Sequence, residues 1–109
     1  MAYDLKLAQR VRKLIVSSKS LSEREQFGGV AFLLRGNVAC GIIGNELLVR
    51  VGPERHDEAM KSKHAQPFSL TGRPSKGWIL VSQSGLKSPA SLKKWVEMGR
   101  DFANTLPPK

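Results

Sequence analysis

The sequence is poor in cysteine and in aromatic residues: Cys40 is its one cysteine, and only 6% of its 109 residues are Phe, Trp or Tyr. One cysteine cannot form an intramolecular disulfide, so nothing points to an oxidising compartment. The apolar runs are far shorter than the ~20 residues of a membrane span, and the first residues lack a signal-peptide pattern. These absences predict a cytoplasmic protein without a membrane association.

Acidic residues are also scarce, with nine against eighteen basic residues and a formal net charge of +9. The basic residues are concentrated in residues 1–20 and 61–109, whereas acids outnumber bases in residues 21–60. If the two ends of the chain meet in space, they form one positive face that attracts phosphate-rich partners. If they do not meet, the charge serves mainly solubility.

The apolar pattern predicts one α+β domain over residues 1–109, in which helices pack in a second layer on an antiparallel sheet of about five strands. The predicted order is α-β-β-β-(β)-α-β-β-α. Three helices are expected, with Asp4 and Ser88 as N-caps of the first and the last: Leu5–Val16, Pro53–Lys61, and one from Pro89 towards Leu106. The expected strands are Ser22–Phe27, Val30–Leu34, Val38–Ile43, Leu47–Val51, a short one at Gln66–Leu70, and Trp78–Ser82.

Several apolar runs are nearly continuous, whereas a strand with one face in water alternates apolar and polar residues. Val30–Leu34 and Val38–Ile43 are examples. The pattern therefore predicts a sheet with one face covered by helices and the other face partly covered.

Short motifs spread along the chain resemble, in the same order, the TfoX/Sxy N-terminal domain family. The resemblance lies in Phe27–Phe32, Gly36–Val38, Cys40-Gly41, Leu48–Glu54, Thr71–Trp78, Trp95–Glu97 and Leu106–Pro108. Each motif alone is weakly specific, but together they cover most of the sequence. The chain is thus identified as a stand-alone N-terminal domain of this family.

The resemblance implies a two-layer α+β fold similar to that of type III secretion chaperones. The namesakes of the family regulate natural competence together with other transcription factors, and they carry an additional C-terminal domain. The resemblance implies no enzyme activity, no cofactor and no catalytic residue.

The residues themselves give little reason to expect catalysis. Cys40 lies within an apolar strand, where a buried thiol is unreactive. His56 and His64 have no neighbouring cysteine or histidine at metal-ligand spacing. No nucleotide-binding or hydrolase motif is present. We therefore expect a protein that is not an enzyme, with no metal and no cofactor.

The basic stretch Gly72–Gly77, which we expect to be a loop, is the clearest candidate for a small-anion site. Arg73 and Lys76 are flanked by glycines, whose neighbouring backbone N–H groups and charge suit a phosphate or a carboxylate. Arg50, at the end of a strand, is a third candidate for the same site. The alternative is that these cations form salt bridges with acids of the domain and only fix the loop.

Nucleic-acid binding is a further alternative, with five candidate contacts at the two ends of the chain. Lys6, Arg10 and Lys13 form a stripe on the first helix, and Lys93 and Lys94 lie on the last. Few aromatic residues remain outside the predicted core, and Phe68 and Tyr3 are those that could be exposed for base stacking. Any such binding is expected to depend on phosphate contacts and to be weakly sequence-specific.

Three functions stay open on this reading. The leading hypothesis is a non-catalytic interaction module, regulatory in transcription or competence, that acts through a protein partner or as a homodimer. The second is a basic protein that binds nucleic-acid backbones. The third is a small-anion-binding domain that uses Arg73 and Lys76.

Overall fold

The computed structural model describes residues 4–15, 21–26, 29–69 and 74–107. Within them the chain forms three α-helices, Leu5–Ile15 (α1), His56–Met60 (α2) and Pro89–Asn104 (α3), and a 3₁₀ turn, Gln83–Gly85. It also forms six strands: Leu21–Gln26 (β1), Gly29–Leu34 (β2), Asn37–Ile43 (β3), Glu46–Arg50 (β4), Ala65–Ser69 (β5) and Pro74–Val81 (β6). The predicted α+β class and element order are confirmed. None of the described helices combines the length and the apolar character needed to cross a membrane.

All strand pairs are antiparallel, in the spatial order β1-β2-β3-β4-β6-β5. The first four strands pair in chain order as an antiparallel meander, with a turn at Arg35-Gly36 between β2 and β3. After β4 the chain passes through α2 to the edge strand β5, and β6 then returns between β5 and β4. This return places Trp78 of β6 directly opposite Arg50 of β4.

Helix α1 begins where the sequence predicts, because Asp4 caps it. The Asp4 carboxylate accepts the backbone N–H groups of Lys6 at 2.9 Å and Leu7 at 3.2 Å, two donors that would otherwise lack partners in the first turn. The side chains that α1 buries recur at helical spacing: Leu7, Ala8, Val11 and Ile15.

Helix α3 begins at Pro89 after the Ser88 cap, whose hydroxyl accepts the Ser91 N–H at 3.5 Å. The helix lies very close to β3, since a Cβ built on Gly99 would be 2.2 Å from the carbonyl oxygen of Ala39. Only glycine permits this approach without a shift of backbone. The buried face of α3 consists of Leu92, Trp95, Val96, Gly99 and Ala103.

The two faces of the sheet are both apolar, as the continuous runs predict. Leu47 and Val49 belong to one core cluster with residues of all three helices. Leu48, which lies between them, is fully buried but outside that cluster, as is Leu33 of β2. Because successive side chains of a strand point to opposite faces, Leu48 and Leu33 lie on the face away from the helical core.

The sequence-based bounds of two elements are wrong. Residues 53–55 form a turn, and α2 has five residues, His56–Met60, instead of nine. Backbone contacts hold the chain before the helix, because the N–H groups of Val51 and Gly52 both donate to the Gly77 carbonyl. Strand β6 starts at Pro74 rather than Trp78, so residues 74–77 of the expected basic loop are strand.

Candidate functional site

The two basic ends of the chain meet on the helical layer. Helix α1 packs against α3, and the Arg10 guanidinium donates to the backbone carbonyl of Lys87, at 3.5 Å, just before α3 begins. The two residues are 77 positions apart in the sequence. Helix α1 and the start of α3 therefore lie side by side.

Six cations on α1, on α3 and in the turn before α3 define what we call the basic helical surface: Lys6, Arg10, Lys13, Lys87, Lys93 and Lys94. All are exposed except Arg10, which is half-buried. Lys6, Arg10 and Lys87 line one shallow groove of about 240 Å³, together with the amides of Asn45 and Gln83. Sequence reasoning finds five of the six and misses Lys87, because no pattern in its neighbourhood indicates a contact with α1.

Few acids offset this surface in the part of the chain that the structure describes. Asp4, whose carboxylate accepts backbone N–H groups of α1, lines the same groove as Lys6, Arg10 and Lys87. Glu97 lies 3.8 Å from the Lys93 ammonium, which makes Lys93 the one member of the surface with a carboxylate partner there. Glu97 and Asp101 also line a groove with Lys93 and Lys94, so the six cations of the surface outnumber the three acids beside them.

Arg50 has a different environment, at the end of β4. Its guanidinium carbon lies 5.0 Å from the centroid of the Trp78 ring and 5.3 Å from that of the Phe102 ring. Both distances are within the ~6 Å of a cation–π contact. The Trp78 ring lies near Arg50 because β4 pairs with β6, and the Phe102 ring belongs to α3.

No ion pair and no hydrogen bond engages the Arg50 side chain within the described residues. The alternative of a salt bridge that only fixes the loop therefore has no support at Arg50. Desolvation by burial lowers the pKa of Arg50 below its usual value, although a guanidinium stays protonated in proteins. Among the described residues the five N–H donors of Arg50 have no acceptor, so they are open to water or to a ligand.

The structure gives only partial information on the other two candidate residues of the anion site, Lys76 and Arg73. The backbone of Lys76 lies in β6, two residues before Trp78, and Arg73 lies outside the described residues, as does Tyr3. Phe68 is buried rather than exposed, and its ring centroid is 6.3 Å from that of Trp78. The structure thus brings Arg50 beside the strand of Lys76, and it removes Phe68 as an exposed ring for base stacking.

A groove of about 460 Å³ adjoins Arg50. It begins one residue after Arg50, at Val51, and it shares Phe102 with the ring stack. Its other lining residues are Gly52, Pro53, Glu54, Arg55, Asp101 and Thr105. Most of this lining is apolar, and the charged residues Glu54, Arg55 and Asp101 are two acids and one base.

The histidines hold structural positions that the sequence does not predict. The Nδ1 atom of His56 accepts the Gly77 N–H at 2.9 Å, which ties α2 to β6. His64 Nδ1 lies 3.0 Å from the hydroxyl of Ser84, which in turn lies 3.1 Å from the hydroxyl of Ser82. Both contacts join segments that are far apart in the sequence.

The described residues contain no cluster of three or more His, Cys, Asp or Glu side chains that could hold a metal ion. Cys40 is completely buried, and burial raises the pKa of its thiol to about 12. At neutral pH the thiolate is therefore scarce, and Cys40 is a poor nucleophile.

The family described as the TfoX N-terminal domain matches residues 13–103 of this chain. The match includes β1 to β6 and nearly all of α3. No curated protein and no solved structure matches the chain. The expected likeness to secretion chaperones therefore stays a prediction.

Proposed function

Because the chain belongs to the TfoX N-terminal domain family, we propose that it is a non-catalytic interaction module with a regulatory role. It acts through a macromolecular partner and not through chemistry of its own. The observation that supports this most directly is the meeting of the two basic ends of the chain in the basic helical surface.

The partner class that best fits this surface is a nucleic acid, bound through its phosphate backbone. Exposed lysines on two adjacent helices suit a row of phosphates, because each is a flexible point charge. In the groove between Lys6, Arg10 and Lys87, the Asn45 amide donates to the Gln83 side-chain oxygen, so the Gln83 amide N–H groups are the added donors there. Since buried Phe68 offers no base stacking, recognition of base sequence is expected to be weak.

A salt titration tests this proposal. We expect the protein to bind a mixed-sequence DNA duplex or RNA in fluorescence anisotropy at ~50 mM salt, with affinity that falls steeply as salt rises. The triple variant Lys6→Ala/Arg10→Ala/Lys87→Ala removes three cations of the groove. Each lost phosphate contact is expected to reduce the log–log salt slope by about 1.

The matched control is Arg24→Ala/Lys61→Ala/Lys63→Ala, which removes the same net charge from exposed positions outside the helical surface. We expect this control to bind the nucleic acid at least about tenfold more tightly than the groove variant does, and to have a steeper log–log salt slope. Equal weakening by both variants would mean that net charge alone drives binding. No binding of the unmodified protein at low salt would exclude a nucleic-acid partner of this kind.

A protein partner, including a second copy of the chain, is the other candidate. It follows from membership of the family and not from the second sheet face, because Leu33 and Leu48 on that face are already buried within the chain. Light scattering after size exclusion tests self-association directly. A homodimer would support this candidate, whereas a strict monomer over a wide concentration range would exclude self-association.

A further inference from the structure

The side chain of Arg50 is held in place before any ligand arrives. Its guanidinium lies within cation–π distance of the rings of Trp78 and Phe102. A planar guanidinium fixed by rings loses little further rotamer freedom when it forms hydrogen bonds. Arg50 thus has the preorganisation of a binding residue.

The backbone around Arg50 is equally constrained. The Gly77 carbonyl accepts the N–H groups of Val51 at 2.8 Å and Gly52 at 3.1 Å, and the Gly77 N–H donates to His56 at 2.9 Å. These bonds fix the chain directly after Arg50 to the strand that carries Trp78. A rigid frame of this kind positions a ligand-binding group more precisely than a free loop.

A half-buried charge without a partner is unfavourable in a protein, because the loss of hydration is not offset. The described residues supply neither a carboxylate nor another acceptor to the Arg50 guanidinium. A ligand carboxylate can supply two acceptors to its N–H fork at once. A planar or tetrahedral oxyanion would supply such acceptors to Arg50.

The charge and the lining of the groove beside Arg50 indicate whether the site suits a carboxylate or a phosphate. Its lining includes the acids Glu54 and Asp101 and the base Arg55, and Asp101 lies 3.8 Å from Arg100, so with Arg50 and Arg100 the formal charge is +1. This balance disfavours a dianionic phosphate and is compatible with a monoanion. The apolar lining by Val51, Pro53 and Phe102 suits an apolar body, and about 460 Å³ lies in the usual range for small-ligand pockets.

From this geometry we propose that Arg50 and the adjoining groove bind a small monocarboxylate with an apolar body. The carboxylate accepts hydrogen bonds from the Arg50 guanidinium, and the apolar body lies against Phe102 and Pro53. This site is separate from the basic helical surface, and its ligand is independent of a nucleic-acid partner.

The test compares phenylacetate with phenylacetamide, which has nearly the same shape but no charge. In an NMR titration of the full chain, we expect phenylacetate to bind with a Kd in the millimolar range, as its size allows. The indole N–H signal of Trp78 should shift, whereas that of Trp95, in the helical core, should not. Phenylacetamide should bind at least about tenfold more weakly, because it lacks the charge-assisted pair.

Two variants locate the contact. Arg50→Gln should weaken phenylacetate binding by about tenfold or more, whereas Arg24→Gln, at an exposed position of β1 outside the groove lining, should change the Kd by less than about threefold. The groove variant of the helical surface, with Lys6, Arg10 and Lys87 replaced, should bind phenylacetate as the unmodified protein does. If Arg50→Gln fails to fold, the comparison of phenylacetate with phenylacetamide on the unmodified protein still tests whether the site recognises the carboxylate charge.

Three results would overturn the proposal. Equal affinity for phenylacetate and phenylacetamide would mean that no charge is recognised. Inorganic phosphate that binds more tightly than phenylacetate would show a phosphate site. If a peptide with a C-terminal phenylalanine binds at least tenfold more tightly than phenylacetate, the ligand of the site is a protein C-terminus and not a small molecule.

Discussion

Gly77 connects three parts of the molecule through its own backbone. Its carbonyl accepts two N–H groups from the end of β4, and its N–H donates to His56 of α2. Its φ angle of +95° is one that side-chained residues rarely adopt, and a Cβ there would lie 3.1 Å from the backbone of Gly52. A glycine is therefore needed at this position for both conformation and space.

The bond between His56 and Gly77 gives a prediction at this scale. His56→Phe keeps a ring but removes the acceptor, so the half-buried Gly77 N–H loses its partner. We expect the free energy of unfolding to fall by about 1–3 kcal/mol, measured by urea denaturation.

The control is His56→Asn, whose side-chain oxygen can take the place of Nδ1. It should retain most of the stability that His56→Phe loses. A similar loss in both variants would indicate that packing of the ring, and not the hydrogen bond, is what matters.

At the scale of elements, α3 is held against the sheet by close approach as well as by apolar burial. Gly99 faces the Ala39 carbonyl of β3 and the Val49 side chain of β4. The sequence predicts the extent of this helix well, because its cap and its apolar spacing are local features. The distance to β3 is a property of the packed pair and leaves no local pattern.

Gly99→Ala tests this contact. Alanine favours a helix over glycine by about 1 kcal/mol, but its Cβ would overlap the Ala39 carbonyl. We expect the overlap to prevail and the free energy of unfolding to fall by about 1–3 kcal/mol. Lys94→Ala, at an exposed position of the same helix, should change it by less than about 0.5 kcal/mol. A stabilised Gly99→Ala protein would contradict the close approach.

The ion pair between α1 and β1 gives a prediction on pH. The guanidinium of Arg12 donates two hydrogen bonds of 2.8 Å to Glu23, and this contact lowers the pKa of Glu23 below its usual value of 4.5. A carboxyl group whose pKa is lower in the folded state than in the unfolded state stabilises the fold at pH values above its unfolded-state pKa. This stabilisation is lost as the pH falls through the folded-state pKa.

We therefore expect Glu23→Gln to be less stable than the unmodified protein at pH 7, by no more than about 1 kcal/mol because the pair is partly exposed. The difference should disappear as the pH falls well below 4.5, the usual pKa of Glu. Urea denaturation at pH 7 and at low pH measures it. Glu25→Gln, on an exposed position of the same strand, should show little effect at either pH, and a pH-independent Glu23→Gln effect would exclude the charge as its cause.

At the scale of the whole molecule, Cys40 reports on the integrity of the core. It is fully buried in the cluster shared by the helices and the sheet, and burial raises its pKa to about 12. Because it is the one cysteine of the chain, reaction with a thiol reagent has a single site. Access to it requires an opening of the layers rather than the movement of a side chain.

We predict that Cys40 reacts with a thiol reagent at pH 8 far more slowly in the folded protein than in denaturant, by a factor that approaches the folding equilibrium constant. Absorbance of the released product follows the reaction. Immediate labelling in native buffer would show that the core around Cys40 opens locally.

The sequence by itself determined the elements of this protein. The caps at Asp4 and Ser88, the helical spacing of apolar residues and the short turns between β2, β3 and β4 depend on near neighbours, so the sequence predicts them directly. The bounds of α2 and β6 were misplaced because non-local contacts set them: Gly77 holds the chain after β4, and Pro74 pairs with Ser69 of β5.

Only the tertiary structure decided which residues act together. Arg10 and Lys87 form one groove, and Arg50 meets Trp78 and Phe102, because packing joins residues that are far apart along the chain. Such contacts depend on strand order and on helix position, and both result from burial of the whole apolar surface. Local patterns therefore name Arg50 and the terminal lysines as cations, whereas the fold decides which of them have partners and which remain available for a ligand.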